Sequence, residues 1–129
     1  MKLTLQSDYA LRILMALNNE SDRIISVEEI AQRFTISKNH LMKVAQTLSS
    51  CGYIKTVRGR SGGMKLAKNA NDILIGDVVC AIEPDMNIVA CFANNECALL
   101  PACKLKPLIG SGITAFVRTL NEKSLADIS

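Results

Sequence analysis

Three cysteines recur at six-residue intervals in the segment CFANNECALLPAC, at Cys91, Cys97 and Cys103. A six-residue step turns side chains by about 240° on a helix and separates them by roughly 20 Å on a strand, so only a curled loop can bring these thiols together. Ordering such a loop costs about 1–2 kcal/mol per residue. Because the segment offers little apolar surface in return, metal–thiolate bonds are a natural source of the missing free energy.

The residues alone leave the chemistry of this segment open. Iron–sulfur clusters usually take four thiolate ligands, so three cysteines would need a fourth ligand from elsewhere. Zinc also accepts three cysteines and one carboxylate. The remaining alternative is three small hydrophobic residues, with or without a redox disulfide. The other two cysteines, Cys51 and Cys80, fall on apolar helical faces and are predicted to belong to the core.

Charge is distributed unevenly along the 129 residues. Between Ile30 and Asn71 there are eight Lys and Arg and no Asp or Glu, whereas the rest of the chain holds seven basic and 12 acidic residues. A basic segment in an otherwise acidic chain indicates a polyanionic partner. The chain shows no signal peptide and no apolar span long enough for a membrane, so we expect a cytoplasmic protein with reduced thiols and no membrane association.

The amino-terminal half has the pattern of a helix-turn-helix. A first helix is predicted from Ser7, its cap, to Leu17, with Asp8 in its first turn. A second helix opens with the capping box Ser26-x-x-Glu29. After a two-residue turn, Ser37 is predicted to cap a third helix that ends near Gly52. Two short helices joined by so tight a turn are typical of this motif.

Two β-prone runs then flank a glycine-rich tip in YIKTVRGRSGGMKLAK, which predicts a hairpin wing. A short helix should end near Pro84, residues 85–97 should form a loop, and a helical pattern should resume near Ala98. Its apolar stripe is too long for this domain to cover alone, which favours a homodimer. The stripe comprises Leu105, Leu108, Ile109, Ile113, Phe116, Val117 and Leu120.

We therefore predict a mainly α fold with a small β wing. Residues 1–75 should form a winged helix-turn-helix domain, and residues 76–129 the cysteine loop and a dimerisation helix. The amino-terminal part of the third helix and the wing tip are where such a domain presents side chains to DNA. A winged helix that docks onto proteins is the alternative, although it would not need a basic segment free of acids. The predicted DNA-binding residues are Ser37, Lys38, Asn39, His40, Lys43, Arg58, Gly59, Arg60 and Lys65.

Four segments give the chain a specific resemblance: MKLTLQSDYALRILMAL, ISKNHLMKVAQTLSSCGYI, VRGRSGGMKLAK and IGDVVCAIEP, followed by the three cysteines. In this order they resemble the Rrf-type family of bacterial winged-helix regulators over nearly the whole chain. The sequences SDYALR and PACKLK are similar to those of the family's nitric-oxide-sensing iron–sulfur repressors. Lys106 occupies the place where the cluster-assembly branch has a ligating histidine, and the single histidine, His40, lies on the reading helix.

The resemblance implies a homodimeric repressor that binds a palindromic operator and carries an iron–sulfur cluster, with [4Fe-4S] favoured over [2Fe-2S]. Cys91, Cys97, Cys103 and Asp8 would be its ligands, and nitric oxide would damage the cluster and release the DNA. Taken alone, Asp8 is a helix amino-terminal acid that interacts with the helix dipole and with Arg12 at i+4.

Two alternatives remain: a redox- or iron-responsive regulator of the same family, and a zinc-stabilised docking protein. No catalytic constellation is present, so we expect no enzyme activity. Pro107 and the run from Gly110 to Gly112 are expected to interrupt the dimerisation helix.

Overall fold

The computed structural model describes all 129 residues, from Met1 to Ser129. It contains seven α-helices and one antiparallel hairpin, which confirms the predicted fold class. None of the helices has both the length and the apolar character that a membrane crossing requires. The elements are α1 Leu5–Asn19, α2 Val27–Phe34, α3 Lys38–Ser50, β1 Ile54–Val57, β2 Gly63–Leu66, a 3-10 turn at Ala70–Asp72, α4 Ile75–Ile82, α5 Cys91–Asn94, α6 Leu105–Leu120 and α7 Leu125–Ile128.

The core forms around α1, which is buried through Ala10, Ile13 and Leu14. Side chains of α3, both strands, α4 and α7 pack in the same cluster. Residues on both sides of the predicted boundary at position 75 therefore share this core, and the division into two parts stays a prediction. Burial of this apolar cluster is the main stabilising contribution to the fold.

The first helix starts earlier than predicted, because Thr4 rather than Ser7 is its cap. Thr4 has extended backbone angles, and its hydroxyl oxygen accepts a hydrogen bond from the Ser7 N–H at 3.4 Å. Ser7 is already helical and is only 1% exposed. The prediction of Ser7 as the cap was therefore wrong, but Asp8 does lie in the first turn.

The helix-turn-helix is formed by α2 and α3. Ser26 caps α2 by accepting a hydrogen bond from the Glu29 N–H at 3.1 Å, but the Glu29 carboxylate pairs with arginines, so only half of the predicted capping box forms. Thr35 ends α2 with φ +55°, and its N–H donates to two carbonyls of the last turn. Ser37 occupies the cap position of α3 without a side-chain capping bond. The tight turn sets the angle at which α3 leaves α2.

The wing is the hairpin of β1 and β2, and it is joined to the helical core at its base. Met64 of β2 forms a bridge with Ile25, with backbone hydrogen bonds of 2.8 and 3.0 Å between them. At the tip, Gly59 has φ +117°, a conformation that glycine adopts without strain. A Cβ added to Gly62 would lie 2.3 Å from the Val57 carbonyl oxygen, so this turn also needs a glycine.

The helix α6 differs from its prediction in two ways. It begins at Leu105 rather than near Ala98, and it runs without interruption through Gly110 and Gly112 to Leu120. Pro107 is tolerated because it lies in the first turn, where backbone N–H groups have no intrahelical acceptor. Not one residue of α6 is buried.

Two other predictions were wrong. The segment 85–97 is not all loop, because α5 begins at Cys91. Cys51 and Cys80 are exposed rather than part of the core. Cys51 follows the last residue of α3, and Cys80 lies on the side of α4 opposite Val78, Val79 and Ile82, so the apolar face of each helix buries its neighbours instead.

Candidate DNA-binding face and metal-ligand set

The outward face of α3 carries exposed side chains at helical spacing. Asn39, Met42, Lys43 and Gln46 follow one another at i, i+3, i+4 and i+7, while Leu41 and its neighbours on the opposite face are buried. The four side chains line a groove of about 850 Å³ that separates α3 from the wing. Met42 and Gln46 were not among the predicted residues, although the same helical period that selected Asn39 and Lys43 would have found them.

The other wall of this groove belongs to the wing. Arg58, Gly59 and Arg60 form its exposed tip, and the groove is lined by Arg58. Lys55 and Lys65 face each other directly in the strand register, and both are exposed. Like charges directly opposite in a hairpin destabilise it. An anion bound beside the two lysines would relieve this repulsion.

Some basic residues of this region form ion pairs with acidic side chains of the same chain, and others do not. Arg33 forms ion pairs with Glu29, at 3.0 Å, and with Glu20. Its charge is therefore neutralised within the chain and is not available to a DNA phosphate. Lys38 pairs with Glu28, and this hydrogen bond lowers the pKa of the Glu28 carboxyl. The count of eight cations read from the sequence therefore overstates the unpaired positive charge.

Ser37 and His40 complete the predicted set at the amino-terminal end of α3. Both are exposed, and neither side chain makes a hydrogen bond within the chain. They lie beside the uncapped N–H groups of the first helical turn. A helix start of this kind attracts phosphate, because its N–H groups and its dipole both favour negative charge.

The cysteine segment has little internal support. Cys91 opens α5, Cys97 is exposed, and Cys103 lies two residues before α6. Among the N–H groups of residues 97–104, one donates to a backbone carbonyl: that of Leu100, which bonds to the Cys97 oxygen at 3.1 Å. No residue from 83 to 123 is buried, and none of the five cysteines forms a disulfide.

Within one chain the predicted metal ligands do not come together. No group of three or more His, Cys, Asp or Glu side chains is close enough to hold a metal ion. Asp8 instead accepts a hydrogen bond at 3.0 Å from Arg12, whose guanidinium also lies 5.8 Å from the centre of the Phe34 ring. Arg12 therefore connects the first turn of α1 to α2.

The donor types and the local charge nevertheless fit a thiolate-bound iron–sulfur group. Three free thiols lie on one segment, and its second half, residues 97–104, has a single backbone N–H that donates to a backbone carbonyl, so this half can be reshaped at low cost. Lys104 caps α6 without a side-chain bond, and Lys106 follows in its first turn. An anionic group next to these lysines and the positive end of α6 would be electrostatically favoured.

A helix-turn-helix and a hairpin wing that flank one groove define a winged-helix protein of the nucleic-acid-binding class. Comparison with protein families identifies the family. The model of the Rrf2 family, described as an iron-dependent transcriptional regulator, matches residues 3–129. The chain belongs to the Rrf2 family of transcriptional regulators.

Individual relatives agree with this assignment. The chain is 42% identical to the HTH-type transcriptional regulator NsrR of Bacillus licheniformis, over 99% of this chain and 92% of the relative. It is 43% identical to NsrR of Bacillus subtilis, over 99% and 90% of the two chains. The structure of CymR, the global cysteine regulator of B. subtilis, superimposes with a TM-score of 0.79 at 25% identity and covers 99% and 95% of the chains.

These similarities confirm the resemblance to the Rrf-type family read from the sequence, and the two curated relatives are both NsrR proteins. The protein is a DNA-binding transcriptional regulator and not an enzyme, as predicted.

Proposed function

We propose that the protein is a homodimeric repressor that holds an iron–sulfur cluster and releases its operator when nitric oxide destroys or nitrosylates that cluster. Cys91, Cys97 and Cys103 would be three ligands and Asp8 the fourth, with [4Fe-4S] favoured over [2Fe-2S]. One observation carries the proposal: three cysteines that form no disulfide lie on an unburied segment that leads directly into α6, in a chain more than 40% identical to NsrR proteins.

The proposed DNA contacts follow from the groove between α3 and the wing. Asn39 would read a base edge in the major groove, where an amide can form two hydrogen bonds with adenine. Lys43 and Lys65 would contact phosphates, and Arg60 at the wing tip would contact the phosphates that border the minor groove. Ser37, Lys38, His40, Arg58 and Gly59 complete the proposed surface.

A second copy of the chain is the proposed cover for α6. Leu105 and Leu108 are 58% and 67% exposed, and the whole 16-residue helix has no buried side chain. A cavity of about 730 Å³ also lies between Leu3, near the amino terminus, and Ile113 and Phe116 of α6. Apolar surface of this extent favours association, and two-fold symmetry would give two reading helices and a palindromic operator.

The proposed response to nitric oxide depends on the difference in strength between the three thiolate ligands and the one carboxylate ligand. A bound cluster would supply iron that reacts with nitric oxide, and a carboxylate is a harder and weaker partner for that iron than a thiolate. Asp8 is then the weakest of the four attachments. Because α1 packs against α3, release of Asp8 would free the reading helices to move. We place Asp8 and the cysteines that it joins on opposite subunits, so that one attachment links both chains.

Anaerobic purification followed by absorption spectroscopy tests the proposal. We expect broad visible bands, iron and acid-labile sulfide in the protein, and loss of operator binding in a band-shift assay as nitric oxide is added. A colourless protein with stoichiometric zinc would support the docking alternative and contradict the cluster.

A second candidate is an iron-responsive repressor, which the family description as an iron-dependent regulator favours. It would use the same ligands but lose its cluster when iron is scarce. Iron chelation without nitric oxide distinguishes the two, because operator release at low chelator concentration would identify iron as the signal.

A further inference from the structure

We propose that Glu83 is a positioning residue that fixes the first turn of α1, and with it Asp8, to the point where the cysteine segment leaves α4. The proposal rests on the proposed function for the role of Asp8 as a ligand. The contact itself is visible in the chain and can be tested without a cluster.

The Glu83 carboxylate binds the start of α1 through three donors. The backbone N–H of Thr4 donates to Oε1 at 3.3 Å and to Oε2 at 3.2 Å, and the Thr4 hydroxyl donates to Oε2 at 3.2 Å. The buried Ser7 hydroxyl also donates to Oε2. These contacts span 76 to 79 residues of sequence, so they join two segments that are otherwise far apart along the chain.

Because Glu83 lies at the end of α4, its contact connects this helix to the first turn of α1. Glu83 ends α4, where its own N–H bonds to the Val79 carbonyl oxygen at 2.8 Å. No arginine, lysine or histidine pairs with its carboxylate, so the first turn of α1 is its partner within the chain. Negative charge at a helix amino terminus interacts favourably with the helix dipole.

The contact constrains both halves of the proposed ligand set. On one side, Asp8 directly follows Ser7, so the angle at which its carboxylate leaves the helix depends on the first turn being formed. On the other side, Glu83 is the last residue before Cys91 whose side chain forms hydrogen bonds with another helix. The carboxylate therefore ties the start of the cysteine segment to the helix that carries the fourth ligand.

Loss of the contact should fray the first turn. Ser7 is 1% exposed, and its hydroxyl hydrogen would lose its acceptor, which is costly for a buried polar group. Thr4 would keep its capping bond to the Ser7 N–H but would lose the carboxylate that orients it. Asp8 would then sample more positions, and its attachment to a cluster would weaken.

Glu83→Gln is the test variant, because it keeps the size of the side chain but loses its charge and one acceptor oxygen. Asp85→Asn is the matched control. Asp85 is an exposed acid two residues further on, and its Oδ1 accepts a bond from the Asn87 N–H that an asparagine can also accept. If Glu83→Gln does not fold, Thr4→Ala removes the hydroxyl contact and should act in the same direction.

The first measurement is amide hydrogen exchange in the cluster-free protein. We expect the N–H groups of Thr4, Ser7 and Asp8 to exchange about tenfold faster in Glu83→Gln than in the wild type, with Asp85→Asn unchanged. Equal exchange in Glu83→Gln and the wild type overturns the proposal.

The second measurement is the visible absorption and circular dichroism of the loaded protein, together with Asp8→Ala. A changed spectrum in Glu83→Gln supports the positioning role. Faster exchange with an unchanged spectrum overturns that role, while a changed Asp8→Ala spectrum leaves the proposed function intact. If Asp8→Ala has the wild-type spectrum, the ligand assignment of the proposed function is wrong, and the exchange rates alone decide whether the contact exists.

Discussion

Asp8 accepts a hydrogen bond from Arg12 at 3.0 Å, one helical turn further along α1. Both side chains are 45% exposed, and exposed pairs at i and i+4 contribute only about 0.3–0.5 kcal/mol. Asp8 can therefore leave Arg12 at small cost. A carboxylate that is restrained but easily released is suited to bind a metal in one state and an arginine in another.

Salt dependence should identify the residues that contact phosphate. The logarithm of the DNA-binding constant falls linearly with the logarithm of the salt concentration. Lys43→Ala and Arg60→Ala should each make this slope less steep by about 0.9, because each lost phosphate contact releases about one counterion fewer. Filter binding at several salt concentrations measures this slope. Lys123→Ala, which changes an exposed lysine outside the groove, is the control and should match the wild type. Unchanged slopes in both test variants would remove these residues from the proposed phosphate contacts.

Base reading should reside in the amides of α3. Asn39→Ala should relax sequence preference more than total affinity, since a two-bond amide–adenine pair contributes about 1–3 kcal/mol of discrimination. Gln46→Ala should have a similar effect at a different operator position, because Gln46 lies two helical turns further along the same face. Binding to the operator and to random DNA separates the two effects. Equal losses on both DNAs would contradict base reading by the residue concerned.

The ion pair between Glu28 and Lys38 should compete with DNA for the lysine. Glu28→Gln frees Lys38, so affinity for random DNA should rise, by no more than about fivefold because the pair is exposed.

The hydrogen bond from Lys38 lowers the pKa of Glu28 in the folded chain. The contribution of this carboxylate to stability is therefore present above the usual glutamate pKa and is lost as pH falls below it. An acid titration of Glu28→Gln should lack this component, and weaker binding to random DNA would contradict the competition.

Local sequence signals predicted the elements well and their ends less well. The period of apolar residues located α1, α2, α3 and the wing, because each buries one face against the same core. It could not show that Thr4 caps α1, since the Glu83 carboxylate that supports Thr4 comes from 79 residues away. It also placed Cys51 and Cys80 in the core, because periodicity gives the apolar face without its exact width.

The candidate site also contains one part that follows from local sequence signals and one part that does not. The exposure of the candidate DNA-binding residues could be predicted because they lie on consecutive turns of one helix and on one hairpin. The metal-ligand set could be proposed from spacing and resemblance, but one chain does not assemble it. In the proposed function that assembly needs the cofactor and a second subunit, and the sequence pattern of one chain does not give the distances between ligands that come from two chains.

The contact between α4 and α6 should depend on the absence of a side chain at Gly76. A Cβ there would lie 2.5 Å from both the Val117 carbonyl oxygen and the Asn121 side-chain oxygen. Gly76→Ala should therefore lower the free energy of unfolding by about 1–3 kcal/mol, and it would disturb the hydrogen bond between Asn121 and Asp77. Thermal unfolding measures the change. Cys80→Ala, on the exposed side of the same helix, should stay within about 0.5 kcal/mol of the wild type. Equal stability of the two variants would show that the helices are not in close contact at this point.

The fourth ligand is the prediction on which the sensing mechanism depends. Asp8→Ala should keep the dimer but alter the visible spectrum, because one iron would lose its carboxylate oxygen. It should also weaken either the retention of the cluster or its control over DNA binding, since α1 packs against the reading helix α3. Asp8→Cys should restore a cluster that resists nitric oxide, because a thiolate is a softer and stronger ligand for iron.

Asp22→Ala is the matched control for this variant, because Asp22 is an exposed acid beyond the end of α1 with no ion pair or side-chain hydrogen bond in the chain. Spectra and operator affinity recorded during a nitric oxide titration compare the variants directly. Asp8→Ala with the spectrum, response and affinity of the wild type would leave Asp8 with a smaller role. It would then be a first-turn acid that interacts with the helix dipole and with Arg12, as its 3.0 Å hydrogen bond alone indicates.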